Sequence, residues 1–195
     1  MILEQRDPQR PSPPSRPVPV SRAASPEDAT VRDARDAYLA ENGFTVAAYD
    51  DPWTQASFFA LDFAVPNTQK HRWAIMLHDL HHVATGFGTD LPGEAEISAW
   101  ELRGGLRRLG PYVSGIVLSG FLMGFLVAPR RTVRAWRAAS HARSLWTLDV
   151  PYEQLIAMSV AELRGLVGAP RDGVPGARAT AGRHKNAPRL DPATA

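Results

Sequence analysis

Thr68-Gln69-Lys70-His71-Arg72-Trp73-Ala74-Ile75-Met76-Leu77-His78-Asp79-Leu80-His81-His82-Val83-Ala84-Thr85-Gly86 is the stretch on which the reading of this chain turns. Val65-Pro66-Asn67-Thr68 breaks what precedes it and supplies a threonine cap. Gly86 is a natural stop, so the segment predicts a helix over about 68–85. At roughly 100° per residue, Asp79 lies near 100° and His82 near 40° from His78, all in one sector and about one turn apart. A following helix brings Glu94, completing H-D-x-x-H, eleven residues, then E. Two imidazoles and two carboxylates make a hard-to-borderline N/O donor set. That suits zinc, or else iron or manganese, better than copper(I) or an iron–sulfur cluster.

Each of these residues also has an ordinary reading. The histidines could be a helix-surface pair, Asp79 a solvated charge, and Glu94 an acid placed by the helix dipole. The joint offsets favour a divalent metal, His78, Asp79, His82 and Glu94 being its ligands. Four neighbours are candidates for orienting a ligand or meeting a substrate. His71 lies on the same stripe, about 10 Å along the axis, and is otherwise a satisfied, partly buried histidine. His81 is set off from the ligand sector as a spare donor. Asp90, in the loop between the two helices, is placed to hydrogen-bond a ligand imidazole. Glu101 lies two turns beyond Glu94 and would line a channel or pair with a surface arginine.

Working outward, nearly every periodic segment reads as helix. Ser25-Pro26-Glu27-Asp28 opens one that stops at Asn42-Gly43. Pro52 starts a helical run through Trp53, Phe58, Phe59 and Leu61. Pro92 opens the helix bearing Glu94, Trp100 and Glu101. An arginine-rich helix is expected from Arg130 to about Leu148. Helical residues 152–157 follow, then a capping box at Ser159-Val160-Ala161-Glu162 that opens a last helix to Gly168. No hairpin signal or internal repeat is evident. The expected fold is all-α, one compact domain over residues 25–168. Residues 1–24, rich in Pro and Arg, and 169–195, rich in Gly, Pro, Ala and Arg, are expected to be disordered tails.

Composition narrows the function classes. The 195 residues include no Cys, which excludes disulfides and thiolate chemistry. No apolar N-terminal stretch suggests a secretory signal, so the expected location is cytoplasmic. Residues 102–148 contain no Asp or Glu but eight Arg, within a net charge of +2. A membrane surface or anionic substrate fits that asymmetry. Nucleic acid does not, because the arginines flank an apolar helix instead of alternating with aromatics.

That apolar helix spans Leu109 to Pro129, twenty-one residues without a charge. Three readings stay open: a core helix, a helix lining a lipid-tail tunnel or lying in a membrane interface, and a true span. Gly115, Gly120 and Gly124 form a small-residue stripe that would also permit a helix-mediated homodimer. Phe121 and Phe125 accompany it as lipid-facing candidates.

His78-Asp79-Leu80-His81-His82, Thr89-Asp90, Gly93-Glu94 and Glu101-Leu102 together resemble the central block of a ubiquinone (coenzyme Q) biosynthesis family, that of the fourth protein in the yeast series. The tyrosine-bearing first helix, the uncharged glycine-rich helix and Glu162-Leu163-Arg164 are similar to the rest of its plan, over about residues 25–168. The resemblance implies an all-α fold, zinc on His78, Asp79, His82 and Glu94, and peripheral attachment to the inner face of a membrane. It also implies a prenylated aromatic or isoprenoid lipid as ligand, and other quinone-biosynthesis proteins as partners. The implied activity is metal-dependent, oxidative C1-decarboxylation of a polyprenyl hydroxybenzoate, organisation of a biosynthetic complex, or both. Three rivals are a prenyl-lipid-binding scaffold with a structural metal, a metal-dependent phosphohydrolase and a zinc peptidase. The phosphohydrolase lacks a convincing second Asp, and the peptidase would need Glu where Asp79 stands.

Overall fold

The computed structural model describes residues 28–177, except 59 and 60, and describes no side chains between 54 and 65. The calls on residues 1–24 and 178–195 lie outside the described residues. Seven α-helices carry the fold: α1 (Val31–Glu41), α2 (Gln69–Thr85), α3 (Leu91–Gly104), α4 (Gly110–Val127), α5 (Pro129–Ala138), α6 (Tyr152–Ala157) and α7 (Val160–Val167). The all-α expectation holds for the body of the domain.

Local chemistry sets most of the helix ends. Thr68 Oγ1 accepts the His71 N–H at 3.2 Å, and Gly86 closes α2 in left-handed backbone at φ 78°. Ser159 and Glu162 form the expected reciprocal capping box before α7, which ends at Gly168 (φ 72°). Helix α1 starts later than expected: Thr30 caps it, accepting the Asp33 N–H at 3.1 Å, and Ser25 lies outside the described residues.

Two segments expected as helix are not. Strands β1 (Trp53–Phe58) and β2 (Leu61–Pro66) pair antiparallel, with Trp53 opposite Pro66 and Phe58 opposite Leu61. A 3₁₀ turn, Val46–Asp50, leads into β1. The arginine-rich helix stops at Ala138 and continues as two 3₁₀ turns, at 139–141 and 145–147. Here the backbone finds partners outside the helix. Arg143 N–H donates to Val167 O, Ser144 N–H to Gly104 O, and Leu145 N–H to the His81 ring. These bonds satisfy groups that a continued helix would have satisfied internally.

Order also extends past Gly168. Val174 is buried, its N–H donates to Thr85 O, and Arg134 donates to Gly176 O. Residues 169–177 therefore pack against the end of α2 and belong to the folded body, a correction to the expected boundary.

The core centres on α3, which packs against α4 and α5 and buries Ile97 and Trp100 with Leu80 of α2, Trp146 and Leu163. Helix α4 contributes Val113, Val117 and Gly124 to that core. Gly124 permits the approach. A Cβ there would lie 2.8 Å from Thr132 Cγ2 and 3.0 Å from Ala95 Cβ. Gly120 faces Ser98 of α3, while Gly115 faces open space. The outer face of α4 is bare: Ile116, Leu118, Leu122, Phe125 and Leu126 are exposed, the last by 74%. The helix is long and apolar enough to cross a membrane by length and composition, with 17% of it buried. An enclosed core helix is not what is observed.

Candidate metal centre

Helix α2 presents His78 and His82 one turn apart, and the first turn of α3 lays Glu94 across them. His78 Nε2 and His82 Nε2 are 3.1 Å apart. Glu94 Oε2 is 3.4 Å from the first, and its Oε1 is 3.6 Å from the second. These three offer one ligand atom apiece within 4.8 Å of one another. Ligands at about 2.0–2.2 Å from zinc in tetrahedral array are about 3.3 Å apart, so the spacing fits a first-row divalent ion. The site is walled on one side and open on the other: His82 is buried, His78 is partly exposed, and the Glu94 side chain is 41% exposed.

Hydrogen bonds behind the ligands orient both rings. His82 Nδ1–H donates to Phe87 O at 3.0 Å, leaving its Nε2 lone pair facing His78. His78 Nδ1–H donates to Glu101 Oε1 at 2.8 Å. Its Nε2 faces the His82 Nε2 at 3.1 Å. Burial pulls its pKa down, but Glu101 and Glu94 outweigh that and hold it well above 6.5.

Glu101, fully buried on α3, is shared. Its Oε1 also takes the His81 Nδ1–H at 2.7 Å, while Oε2 has no partner among the described residues. His81 Nε2 accepts the Leu145 N–H at 2.9 Å, so His81 is neutral, in keeping with a pKa lowered by burial. Burial would raise the Glu101 pKa, yet His78 and His81 bring it to about 2. A buried carboxylate on the far nitrogen of a ligating histidine fixes its ring and strengthens its basicity.

The structure does not bring all the sequence candidates together. Asp79 stands outside the group of three, its Oδ2 accepting the hydroxyl of Tyr49. Asp90 does not reach an imidazole. It caps α3, accepting the Gly93 N–H at 3.0 Å, and lies 3.7 Å from Arg131. His71 is buried at the start of α2 with Nδ1 unpartnered and its ring edge-on to Tyr112. Phe121 packs between Phe125 and Trp136 near α5.

Sequence reasoning missed three groups. Tyr38 of α1 stacks on His82 with ring centroids 5.3 Å apart and planes 21° apart. Tyr49 holds Asp79, and Asn67 clamps the Tyr49 and Asp51 carbonyls at 3.0 and 2.8 Å. The third is a partly buried ion cluster in which the fully buried Glu96 takes Arg131 and Arg134, each at 2.6 Å. The spacing of Glu96 from Glu94, two residues, was a usable signal that α3 carries acids on two faces.

Fold and site together define an all-α protein with a candidate three-residue N/O metal centre. No family model and no curated protein matches the chain. Among solved structures it is similar to a Nostoc punctiforme protein described, provisionally, as a ubiquinone biosynthesis protein. That likeness has 22% identity and a TM-score of 0.36, covering 71% of this chain and 80% of that one. A likeness at this level assigns no residue a role.

Proposed function

We infer that the chain binds a divalent metal, zinc first, on His78, His82 and Glu94, and acts on a prenylated aromatic acid in quinone biosynthesis. The observation that carries this reading is the convergence of two imidazoles and a carboxylate at metal-ligand spacing, backed by a buried Glu101 and open on one side. A metal held there would supply Lewis-acid stabilisation of a carboxylate or phenolate oxygen. The residues do the rest. Glu101 and the Phe87 carbonyl orient the two rings, and the open side beside Glu94 admits the ligand.

Helix α4 supports the lipid half of the reading. Its bare apolar face is bracketed by exposed Arg107, Arg108, Arg130 and Arg137. An apolar strip with cations at both ends suits the interface of an anionic membrane, or a prenyl tail drawn from it. On this reading the protein works peripherally at the inner face of the membrane, beside other quinone-biosynthesis proteins.

The test is metal content by mass spectrometry, wild type beside His78→Ala, followed by decarboxylation of a prenylated hydroxybenzoate with Glu94→Gln. One metal per chain lost on His78→Ala, and activity lost on Glu94→Gln, are the expected results. No metal in the wild type would refute the metal reading. Full flux in a metal-free variant would reduce the metal to a structural part of a lipid-binding scaffold.

A further inference from the structure

Residues 170–177, expected from the sequence as tail, close over the junction of the two helices that carry the ligands. Helix α2 ends three residues after His82, and its last turn leaves carbonyls that the helix itself cannot satisfy. Two of them find donors from the far end of the chain. Ala84 O accepts the Arg164 Nε–H at 3.0 Å, and Thr85 O accepts the Val174 N–H at 2.8 Å. Arg164 also donates to Arg171 O at 2.6 Å, so one side chain of α7 ties the end of α2 to the segment that follows α7. The Val174 side chain is buried in the main core. Gly173 makes the bend with φ 80°, and a Cβ there would lie 2.9 Å from Thr85 O.

The end of the segment reaches α3. Arg134 Nη2 donates to Gly176 O at 2.9 Å and to Glu96 Oε1 at 2.6 Å. Glu96 is fully buried and stands two residues after Glu94. One end of the segment thus holds the turn that carries His82. The other, through Arg134, holds the start of α3. Thr85 is fully buried, so releasing the segment would strip its carbonyl of the Val174 donor in a place that water does not reach. The adjoining Phe87 carbonyl is the one that accepts the His82 Nδ1–H at 3.0 Å.

We propose that residues 170–177 are a positioning strap for the metal centre: by holding the last turn of α2 to the start of α3, they keep the His82 ring on the Phe87 carbonyl and fix its distance from Glu94. The inference rests on the metal reading above and extends it to a segment that supplies none of the three ligands.

The test measures the zinc affinity of the full chain by competition with a chromophoric chelator, and the urea stability of the same metal-free samples. Val174→Asp puts a carboxylate into a buried apolar position and should release the strap. Its zinc Kd should rise about tenfold, the scale on which groups behind metal ligands act. Val174→Ile keeps the anchor apolar, and its Kd should stay within about twofold of wild type. Val113→Ala trims the core on α4 and should lose stability without losing affinity, because zinc binds the folded chain. A folded Val174→Asp chain that binds zinc within about twofold of wild type would overturn the proposal. An equal loss of affinity in Val113→Ala would overturn it too, by making the effect one of general stability. Should Val174→Asp not fold, hydrogen exchange in the wild type decides. Coupling is reciprocal, so zinc should slow the local, urea-insensitive exchange of the Val174 amide about tenfold, and an unchanged rate would sink the idea. Failure of the underlying reading looks different, since the wild type would then take up no zinc at all.

Discussion

Replacing Glu101 by Gln tests whether the buried carboxylate governs the metal position or merely fills the core. The exchange is nearly isosteric but removes a charge that two imidazoles share, at 2.8 Å from His78 Nδ1 and 2.7 Å from His81 Nδ1. Charge-assisted hydrogen bonds are roughly twice as strong as neutral ones, so each loses about 1 kcal/mol. The new amide N–H₂ falls where Oε2 has no partner among the described residues, adding about 1–3 kcal/mol for an unmet buried donor. The metal-free protein should lose about 3–5 kcal/mol, the range for breaking a buried pair from one side. With His78 less basic and less firmly oriented, zinc affinity should fall about 10- to 100-fold. Competition with a chromophoric chelator reads the affinity, and urea unfolding of the metal-free protein reads the stability. A Gln variant that binds zinc within twofold of wild type would refute the orienting role, whatever its stability.

Glu101 and Glu94 hold the His78 pKa well above 6.5 in the metal-free site, so metal binding at neutral pH should release protons; calorimetry in buffers of different ionisation enthalpy counts them. Acid should destabilise the metal-free protein in two stages. Burial lowers the pKa values of His81 and His82, so stability falls as pH drops below about 6.5; Glu101, lowered to about 2, adds a second loss between 4.5 and 2. Asp79 works in the opposite sense, since burial raises its pKa to about 6, and Asp79→Asn should therefore stabilise the metal-free protein at pH 7 by about 1–2 kcal/mol in the same unfolding assay. Gly124→Ala should cost about 1–3 kcal/mol by overpacking against Thr132 and Ala95, whereas Gly115→Ala, facing open space, should gain up to about 1 kcal/mol. Leu122→Glu with Leu126→Glu should weaken binding to anionic vesicles at least about tenfold in a sedimentation assay, and unchanged binding would dissociate α4 from the membrane.

Local signals carried the helices with strong termini. Thr68 and Gly86 framed α2, and Ser159 with Glu162 framed the start of α7, because caps and left-handed glycines act within a few residues. Strands β1 and β2 are hidden in the sequence by a competing period. Leu61-Asp62-Phe63-Ala64-Val65 alternates, but beside Phe58 and Phe59 it also passes for a helical face. Residues 139–147 were unreadable for a different reason. Their backbone partners lie on α3, α7 and the His81 ring, far away in sequence. At the site, periodicity brought His78 and His82 together and the loop delivered Glu94, but periodicity gives only the direction in which a side chain leaves the helix. It could not show that Tyr49, from a turn thirty residues earlier, takes up Asp79. Nor could it show that Asp90 serves the α3 terminus instead of an imidazole.

The interval between His82 and Glu94 behaves as a ruler. Helix α2 ends three residues after His82, the loop Gly86–Asp90 takes five, and α3 presents Glu94 at its fourth position. Where the first turn of α3 meets the loop, any Cβ at residue 93 would come within 2.6 Å of Asp90 Oδ1 and the Gly88 carbonyl carbon, so the winding leaves no slack. Inserting or deleting one residue would turn α3 by about 100° and carry Glu94 and Glu101 off together. It would also swing Glu96 away from its two arginines. Selection would therefore act on the length of this interval more stringently than on most of the letters within it. Distant chains are best aligned by forbidding gaps between positions 78 and 101, and letting the rest drift.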